Sequence, residues 1–279
     1  MNLFSPNYLK ELCAEYGLTP SKEYGQNYLI AEKPIREIIE AGELNSNDVV
    51  VEIGPGFGVL TLAMAPQVKK LIAFEIEKKL QDYWEEKQKE FKNIEIIWGN
   101  FVYQFPEMQE KFPKNYKVLA NVPYQITSQI IRMLLEAKNP PERIIIMVQK
   151  EVAQRICAKP GEMSVLAISV QYYGTPKIVT KVTKGNFFPS PKVDSAVISI
   201  RPKKQESEKA NFSDERFFEV VRAGFAHPRK QVWRNLTEGL QMDGEKIKHI
   251  LVELVGNEKV RAEELSVEDW KILVGRLSI

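Results

Sequence analysis

Apolar runs of strand length alternate with helical patterns between Asp48 and Val148, and this alternation constrains the fold more than any other feature. Continuous apolar runs indicate strands buried on both faces, and the intervening helices provide the crossovers that parallel strands require. The sequence therefore predicts an α/β fold with a doubly wound, mostly parallel sheet. Two later β-rich segments, Lys177–Val182 and Val193–Ile200, are predicted to add antiparallel strands. The apolar runs are Val49–Ile53, Leu71–Glu75, Ile94–Trp98, Tyr116–Ala120 and Ile144–Val148.

The composition changes in the last third of the chain. Residues 202–210 are almost entirely polar, which is typical of a linker. We therefore predict one large domain over residues 1–201, a linker at 202–210 and a small α-helical domain over 211–279. The helical patterns that follow the linker are at 214–225, 229–239, 246–255 and 267–277.

Composition also excludes several classes of protein. No apolar run approaches the roughly 20 residues that a membrane-spanning helix needs, and the N-terminus lacks the basic-then-apolar pattern of an export signal. Cys13 and Cys157 have no CxxC partner, and the histidines are His227 and His249. A disulfide framework or a His/Cys metal site is therefore not expected. We predict a cytoplasmic protein with reduced thiols and no bound metal.

A glycine-rich loop follows the first predicted strand, in the segment VVEIGPGFGVLT. Gly54, Gly56 and Gly58 stand between a strand and a helix, where glycines let the backbone approach a ligand closely. The dinucleotide-binding pattern would place another glycine at position 59, which is valine here. Glu75 ends the next strand, and a carboxylate there can accept hydrogen bonds from both hydroxyls of a ribose. The loop and the acid together indicate an adenosine-containing cofactor. They do not distinguish a nicotinamide enzyme from an S-adenosylmethionine enzyme.

The segment NVPY, from Asn121 to Tyr124, lies at the C-terminal end of the fourth predicted strand, where open α/β sheets bind their ligands. An exocyclic adenine amine is a poor nucleophile because its lone pair is delocalised into the ring. Hydrogen bonds from this amine to the Asn121 side-chain oxygen and the Pro123 carbonyl would draw the nitrogen toward a tetrahedral shape. Tyr124 could stack on the base. Positioning and electrostatics would then carry a methyl transfer without a strong general base.

Several ordered segments together resemble one known family. The glycine loop followed by Asn-x-Pro-Tyr is similar to the N6-adenine methyltransferases. More specifically, the chain resembles the ribosomal RNA adenine dimethyltransferases of the KsgA type over nearly its whole length. This resemblance implies a Rossmann-like S-adenosylmethionine methyltransferase with a catalytic domain over 1–201 and an RNA- or ribosome-binding domain over 211–279. The matching segments are GQNYL at 25–29, VEIGPGFGVLT at 51–61, NVPYQITSQII at 121–131, FFPSPKVDSAV at 187–197 and AGFAHPRKQVWRNL at 223–236.

Carried over residue by residue, the resemblance implies contacts with the cofactor and with the target adenine. The target base would be held by Asn121, Pro123 and Tyr124. Phe187 would stack on its other face, whereas Phe188 is expected to pack in the core. The residues expected to bind the cofactor are Asn27, Leu29, Gly54, Gly56, Glu75, Asn121 and Asn100, which stands where the family usually has an aspartate.

Two segments of the chain carry basic residues and no acid, which suggests a surface that faces a polyanion. They span 163–193 and 220–237. The second resembles the family's basic helical segment, although Pro228 and Trp233 depart from its usual pattern, and phosphate contact is expected there. The residues expected to bind RNA are Lys184, Lys192, Arg222, Arg229, Lys230 and Arg234.

The resemblance implies an enzyme that dimethylates the N6 amines of two adjacent adenosines in the 3′-terminal hairpin loop of 16S rRNA. Its substrate would be an immature small ribosomal subunit, and the protein is expected to be a monomer without a membrane partner. Two alternatives stay open: an antibiotic-resistance methyltransferase of large-subunit rRNA, and a ribosome assembly factor without catalysis. A nicotinamide dehydrogenase would leave the NVPY segment and the basic segments without a use.

Overall fold

The structure of the protein is a computed structural model that describes residues 2–19, 27–203 and 211–277. Within these ranges the chain divides into two compact units, each with its own hydrophobic core. Each unit combines two segments of chain: the first Met1–Ala153 and Thr175–Pro202, the second Gln154–Gly174 and Lys203–Ile279.

A seven-stranded sheet forms the frame of the first unit. The strands, in chain order, are β1 (Tyr28–Leu29), β2 (Val49–Ile53), β3 (Lys70–Glu75), β4 (Ile94–Trp98), β5 (Lys117–Asn121), β6 (Arg143–Gln149), β7 (Gly174–Val182), β8 (Phe187–Phe188) and β9 (Ser195–Pro202). The order in the large sheet is β4-β3-β2-β5-β6-β9-β7, and the pairs from β4 to β6 are parallel. β9 runs antiparallel to β6, and β1 and β8 form a separate antiparallel pair. The predicted doubly wound, mostly parallel sheet is confirmed.

The chain changes direction across the sheet between β2 and β5. From β2 it proceeds through β3 to β4 at one edge, then returns to β5 beside β2 and continues to β6. β2 ends at Ile53 and β5 ends at Asn121, so the C-terminal ends of both strands open at this switch point. Ligands of doubly wound sheets bind in the crevice outside such a point.

Helices connect these strands and continue to the C-terminus. They are α1 (Pro6–Glu15), α2 (Glu32–Gly42), α3 (Thr61–Met64), α4 (Gln81–Glu90), α5 (Phe101–Met108), α6 (Thr127–Leu135), α7 (Lys150–Ile156), α8 (Val165–Tyr173), α9 (Asp214–Gly224), α10 (Val232–Leu240), α11 (Gly244–Val255) and α12 (Val267–Leu277). The sequence pattern did not predict α5, α7 and α8. In the described ranges, every helix is too short or too polar to cross a membrane.

The second unit is helical, and its core surrounds the buried indole of Trp270. α8 packs on α9 and α12, so residues 154–174 group with this unit and not with the first domain, to which the sequence pattern assigned them.

The helix predicted to start at Arg229 begins at Val232, because a turn with a hydrogen bond from Lys230 precedes it. Most of the predicted linker lies outside the described residues.

A buried ion pair anchors the start of β5, the strand that ends at Asn121. Nζ of Lys117 lies 2.8 Å from Oδ2 of Asp48, and both side chains are buried. Lys117 also donates to the Glu43 carbonyl at 2.7 Å, and Asn45 donates to Asp48 through its backbone and its amide. A buried charge is tolerated only with partners, so this network fixes the start of β5 beside β2.

Replacement of Lys117 by methionine should lower the free energy of unfolding by about 3–5 kcal/mol, because the Asp48 carboxylate would stay buried without its cation. Lys70→Met is the matched control. Its ion pair with Glu95 is about half exposed on both sides, and such pairs contribute about 0–1 kcal/mol. Urea unfolding followed by circular dichroism measures both variants. Equal losses would show that the Lys117 pair does not anchor the strand.

Candidate active site

A pocket of about 280 Å³ opens at the C-terminal ends of β2, β3, β4 and β5, and the first unit alone lines it. Every residue predicted to bind the cofactor lies in this lining, together with Pro123 and Tyr124. Phe187 does not. The lining comprises Asn27–Leu29, Glu52–Gly56, Val59, Leu60, Phe74–Ile76, Gly99–Phe101 and Asn121–Ile126.

The glycine loop after β2 has a backbone that side chains disfavour. Gly54, Gly56 and Gly58 have φ angles of 69°, 54° and 81°. A Cβ on Gly58 would lie 2.7 Å from the ring of Trp84, and the same indole donates a hydrogen bond to the Gly56 carbonyl at 3.0 Å. Glycine at position 58 therefore lets Trp84 pack on the loop. Trp84 was not predicted as a site residue, because only the tertiary structure brings α4 to this loop.

Glu75 ends β3 and fastens the glycine loop to it. Its buried carboxyl accepts a hydrogen bond from the Gly56 N–H at 2.9 Å and another from the Glu77 N–H at 2.8 Å. Burial raises the pKa of Glu75, and these backbone hydrogen bonds oppose the rise. Each carboxylate oxygen keeps a second lone pair, so Glu75 can still accept hydrogen bonds from two hydroxyls of a ligand.

A second buried carboxyl, that of Glu52 in β2, lines the same pocket and was not predicted as a site residue. Glu52 is 2% exposed, and its Oε2 accepts no hydrogen bond from the described residues. Burial, reinforced by the neighbouring Glu75 charge, raises the pKa of Glu52 to about 8. The carboxyl is therefore mostly protonated at neutral pH. The signal in the sequence was an acid inside the apolar run VVVEI.

Two asparagines present opposite ends of their amides to the pocket. Nδ2 of Asn121 donates to the Asn27 carbonyl at 3.4 Å, so Oδ1 is the atom left to accept a hydrogen bond. Asn100 caps α5, and its Oδ1 accepts from the Val102 N–H at 2.9 Å. Its Nδ2 is therefore the atom left to donate. In each case the backbone partner fixes the orientation of the amide, because a carbonyl needs a donor and an N–H needs an acceptor.

The Pro123 carbonyl, predicted to accept a hydrogen bond from the target amine, is already engaged at the start of α6. It accepts from the Ile126 N–H at 3.3 Å and from the Thr127 hydroxyl at 3.2 Å. A carbonyl oxygen has two lone pairs, and both are used here. The preceding residue, Val122, also lines the pocket, and its carbonyl accepts no hydrogen bond from the described residues.

Tyr124 reaches from the pocket to the first residue of β9. Its Oη lies 2.6 Å from Oγ of Ser195, which is fully buried. Burial raises the pKa of Tyr124, and the hydrogen bond with Ser195 opposes the rise. The phenol is therefore neutral at physiological pH. Ser195 lies within the segment FFPSPKVDSAV but was not predicted as a site residue.

The two phenylalanines of β8 differ in burial, and Phe187 lies outside the pocket lining. Phe187, expected to form a pocket wall, is 3% exposed in the core, beside its strand partner Leu29. Phe188, expected in the core, is partly buried and packs against that core, with Nζ of Lys10 lying 5.6 Å from its ring centre. Adjacent residues of a strand point to opposite sides, so burial of one ring exposes the other.

The residues predicted to bind RNA are all exposed, but they are not all free. Nζ of Lys230 lies 2.9 Å from the Glu238 carboxylate, just beyond the acid-free segment, and its hydrogen bond lowers the pKa of Glu238. The Arg234 guanidinium lies 5.1 Å from the ring centre of Trp233. The first unit carries Lys184 and Lys192, and the second carries Arg222, Arg229, Lys230 and Arg234.

Curated proteins similar to this chain include several described as ribosomal RNA small subunit methyltransferase A. Ribosomal RNA small subunit methyltransferase A from Dehalococcoides mccartyi is 39% identical over 270 residues, which cover 95% of this chain and 90% of the relative. The protein of the same name from Bacillus mycoides is 37% identical over 291 residues, covering 99% and 97% of the two chains.

Solved structures with the same fold include a dimethyladenosine transferase from Plasmodium falciparum, with a TM-score of 0.74 at 26% identity over 88% of this chain and 95% of that one. The 23S rRNA methyltransferase ErmE gives a TM-score of 0.73 at 26% identity over 89% and 98%. A family model described as ribosomal RNA adenine dimethylase matches residues 18–277. With the fold and the pocket, this match shows that the chain belongs to the ribosomal RNA adenine dimethylase family.

Proposed function

We propose that the chain transfers methyl groups from S-adenosylmethionine to the N6 amines of two adjacent adenosines in the 3′-terminal hairpin loop of 16S rRNA. The substrate is an immature small ribosomal subunit, and the enzyme acts as a cytoplasmic monomer. One observation carries the proposal: Asn121 presents an unused acceptor oxygen beside Tyr124, in the same pocket as the glycine loop and Glu75. The small-subunit names of the similar proteins support the choice of subunit.

The pocket fits the parts of this cofactor in the order of its strands, β4-β3-β2-β5. Glu75, at the end of β3, offers acceptors for the ribose hydroxyls. Asn100, after β4, lies where the base would be, and Asn121, at the end of β5, lies where the methyl group would be. Glu52 keeps a buried oxygen that has no donor among the described residues, and the ammonium group of the methionyl part would supply one. S-adenosylmethionine, when bound, supplies an electrophilic methyl group on a positively charged sulfur.

Asn121 and Val122 prepare the amine for this methyl group. The Asn121 Oδ1 accepts one N–H of the target amine, and the Val122 carbonyl accepts the other. We assign the second role to Val122 because the Pro123 carbonyl is engaged with α6. Both hydrogen bonds draw the nitrogen lone pair out of the ring, while Tyr124 stacks on the base. The nitrogen gains the methyl group, the bonding pair stays on sulfur, and the nitrogen then releases one proton to water.

Four such transfers complete two dimethylated adenosines. Each transfer uses one S-adenosylmethionine, so the pocket must also accept an amine that already carries a methyl group. Adenosines in a hairpin loop are already partly unstacked, which lowers the free-energy penalty of turning them into a pocket. The exposed basic side chains of both units would contact the RNA phosphates.

A second candidate is methylation of large-subunit rRNA, which the structural similarity to ErmE favours. The chain is less similar to that protein, at 26% identity, than to the small-subunit enzymes, at 37–39%.

Incubation with labelled S-adenosylmethionine and unmethylated small or large subunits separates the two candidate functions. Labelled N6,N6-dimethyladenosine from the small subunit alone supports the proposal, and label in the large subunit contradicts it. RNA binding without any label would leave an assembly factor.

Asn121→Ala should lower the methylation rate on small subunits by about 100-fold or more, because the amine loses the acceptor that activates it. Gln129→Ala is the matched control, since it also removes a side-chain amide but lies on the exposed face of α6 outside the pocket. Incorporation of labelled methyl groups under single-turnover conditions measures both variants. Wild-type rates in Asn121→Ala would exclude the proposed mechanism.

Asn100→Asp should tighten the binding of S-adenosylhomocysteine by about tenfold, the effect of one added hydrogen bond to a charged acceptor. In the wild-type protein the Asn100 amide presents a donor, which gains nothing from the exocyclic amine of the cofactor base. The carboxylate would keep the helix cap and offer its other oxygen to that amine. Calorimetric titration should show no gain for the 6-deamino analogue of S-adenosylhomocysteine. An equal gain for both ligands would contradict this assignment.

A further inference from the structure

The hydroxyl pair of Tyr124 and Ser195 joins the NVPY segment to a strand that takes no part in the proposed chemistry. Oη of Tyr124 lies 2.6 Å from Oγ of Ser195, the first residue of β9. β9 pairs with β6, where Ser195 stands opposite Gln149. The sheet therefore holds the serine in place, whereas Tyr124 lies in the connection between β5 and α6.

The two hydroxyls depend on each other. Ser195 is closed off from solvent, and a buried hydroxyl without a partner is unfavourable. Tyr124 is only half-buried, so part of its ring stays open to a ligand in the pocket. This single hydrogen bond ties the far end of the phenol ring to the rigid sheet. It thereby restricts the side-chain torsions of Tyr124, which the connecting backbone alone would leave open.

We propose that Ser195 is a positioning residue for methyl transfer, because it holds the Tyr124 ring in the orientation that stacks on the target adenine. This inference rests on the proposed function. A tyrosine ring that is already oriented before the base binds loses little conformational entropy on binding. Stacking on this ring can therefore orient the base and its amine more effectively. Ser195 touches neither the base nor the cofactor in this proposal and acts only through Tyr124.

The second methyl transfer depends on this platform more than the first. An unmodified amine offers two N–H groups, one to the Asn121 Oδ1 and one to the Val122 carbonyl. A monomethylated amine keeps only one N–H, so one acceptor loses its hydrogen bond. The position of the base then depends more strongly on stacking against the Tyr124 ring. Loss of the tether between Ser195 and Tyr124 should therefore slow the second transfer more than the first.

Ser195→Ala and Tyr124→Phe remove the two hydroxyls separately, and Ser199→Ala on the same strand is the matched control. Unmethylated small ribosomal subunits are incubated with S-adenosylmethionine, and the monomethylated and dimethylated nucleosides are quantified over time. Both single variants should accumulate N6-methyladenosine, with the second transfer slowed by about 10- to 100-fold and the KM for the cofactor unchanged. The control should keep the wild-type ratio of the two nucleosides.

Two further variants separate positioning from a general effect on stability. The double variant Ser195→Ala/Tyr124→Phe should be no slower than either single variant, because all three lose the same hydrogen bond. Ser195→Thr keeps a hydroxyl and should restore dimethylation. If Ser195→Ala does not fold, Tyr124→Phe still removes the tether, because it keeps the ring and its packing.

Two outcomes would overturn the positioning role and leave the proposed function standing. One is a wild-type ratio of monomethylated to dimethylated nucleoside in Tyr124→Phe. The other is an additive loss of rate in the double variant, which would mean that the two hydroxyls act independently. If the wild-type protein itself methylates no adenosine of the small subunit, the proposed function falls and this inference falls with it.

Discussion

The buried carboxylate of Glu75 holds the candidate site together. It connects the end of β3 to the glycine loop through the Gly56 N–H, and it also accepts from the Glu77 N–H. Removal of a carboxylate from water is unfavourable, but two fixed backbone donors offset part of that penalty, and those donors need an acceptor themselves. The loop positioned in this way receives the indole of Trp84 from α4. The floor of the pocket is therefore formed before any ligand binds.

The Asn121 amide is placed by a strand that is fixed along its whole length. Lys117 starts β5 with a buried ion pair, and Asn121 ends it at the pocket. β5 pairs in parallel on both sides, with β2 through Val50 and with β6 through Met147. A slip of one residue would move every side chain of the strand to the opposite face of the sheet. The position of the Asn121 amide is therefore a property of the sheet and not of a flexible loop.

These contacts explain what the sequence could and could not predict. β2 and β4 have the predicted bounds. β2 is buried on both faces, so its residues are apolar except for Glu52. β4 lies at the edge of the sheet and is only partly buried, but every residue in it except Glu95 is apolar. The segment VLAISVQYY of α8 is apolar on nearly all sides, so it lacks the period of an amphipathic helix. Trp84 and Ser195 were missed because their hydrogen bonds join positions 28 and 71 residues apart. A sequence motif can identify the residues of a site, but only the folded structure shows what those residues contact.

The fold also decides which end of each asparagine amide can bind a ligand. In the proposed reaction this orientation distinguishes the adenine of the cofactor from the target adenine. The proposed reaction places one adenine of the cofactor and one of the RNA in the same pocket, and only the second must be methylated. The backbone at Asn27 turns the Asn121 amide so that its oxygen is free, whereas the backbone at Val102 turns the Asn100 amide so that its nitrogen is free. An adenine amine is a donor, so it is attracted to Asn121 and not to Asn100. The same residue type thus activates one base and leaves the amine of the other unactivated.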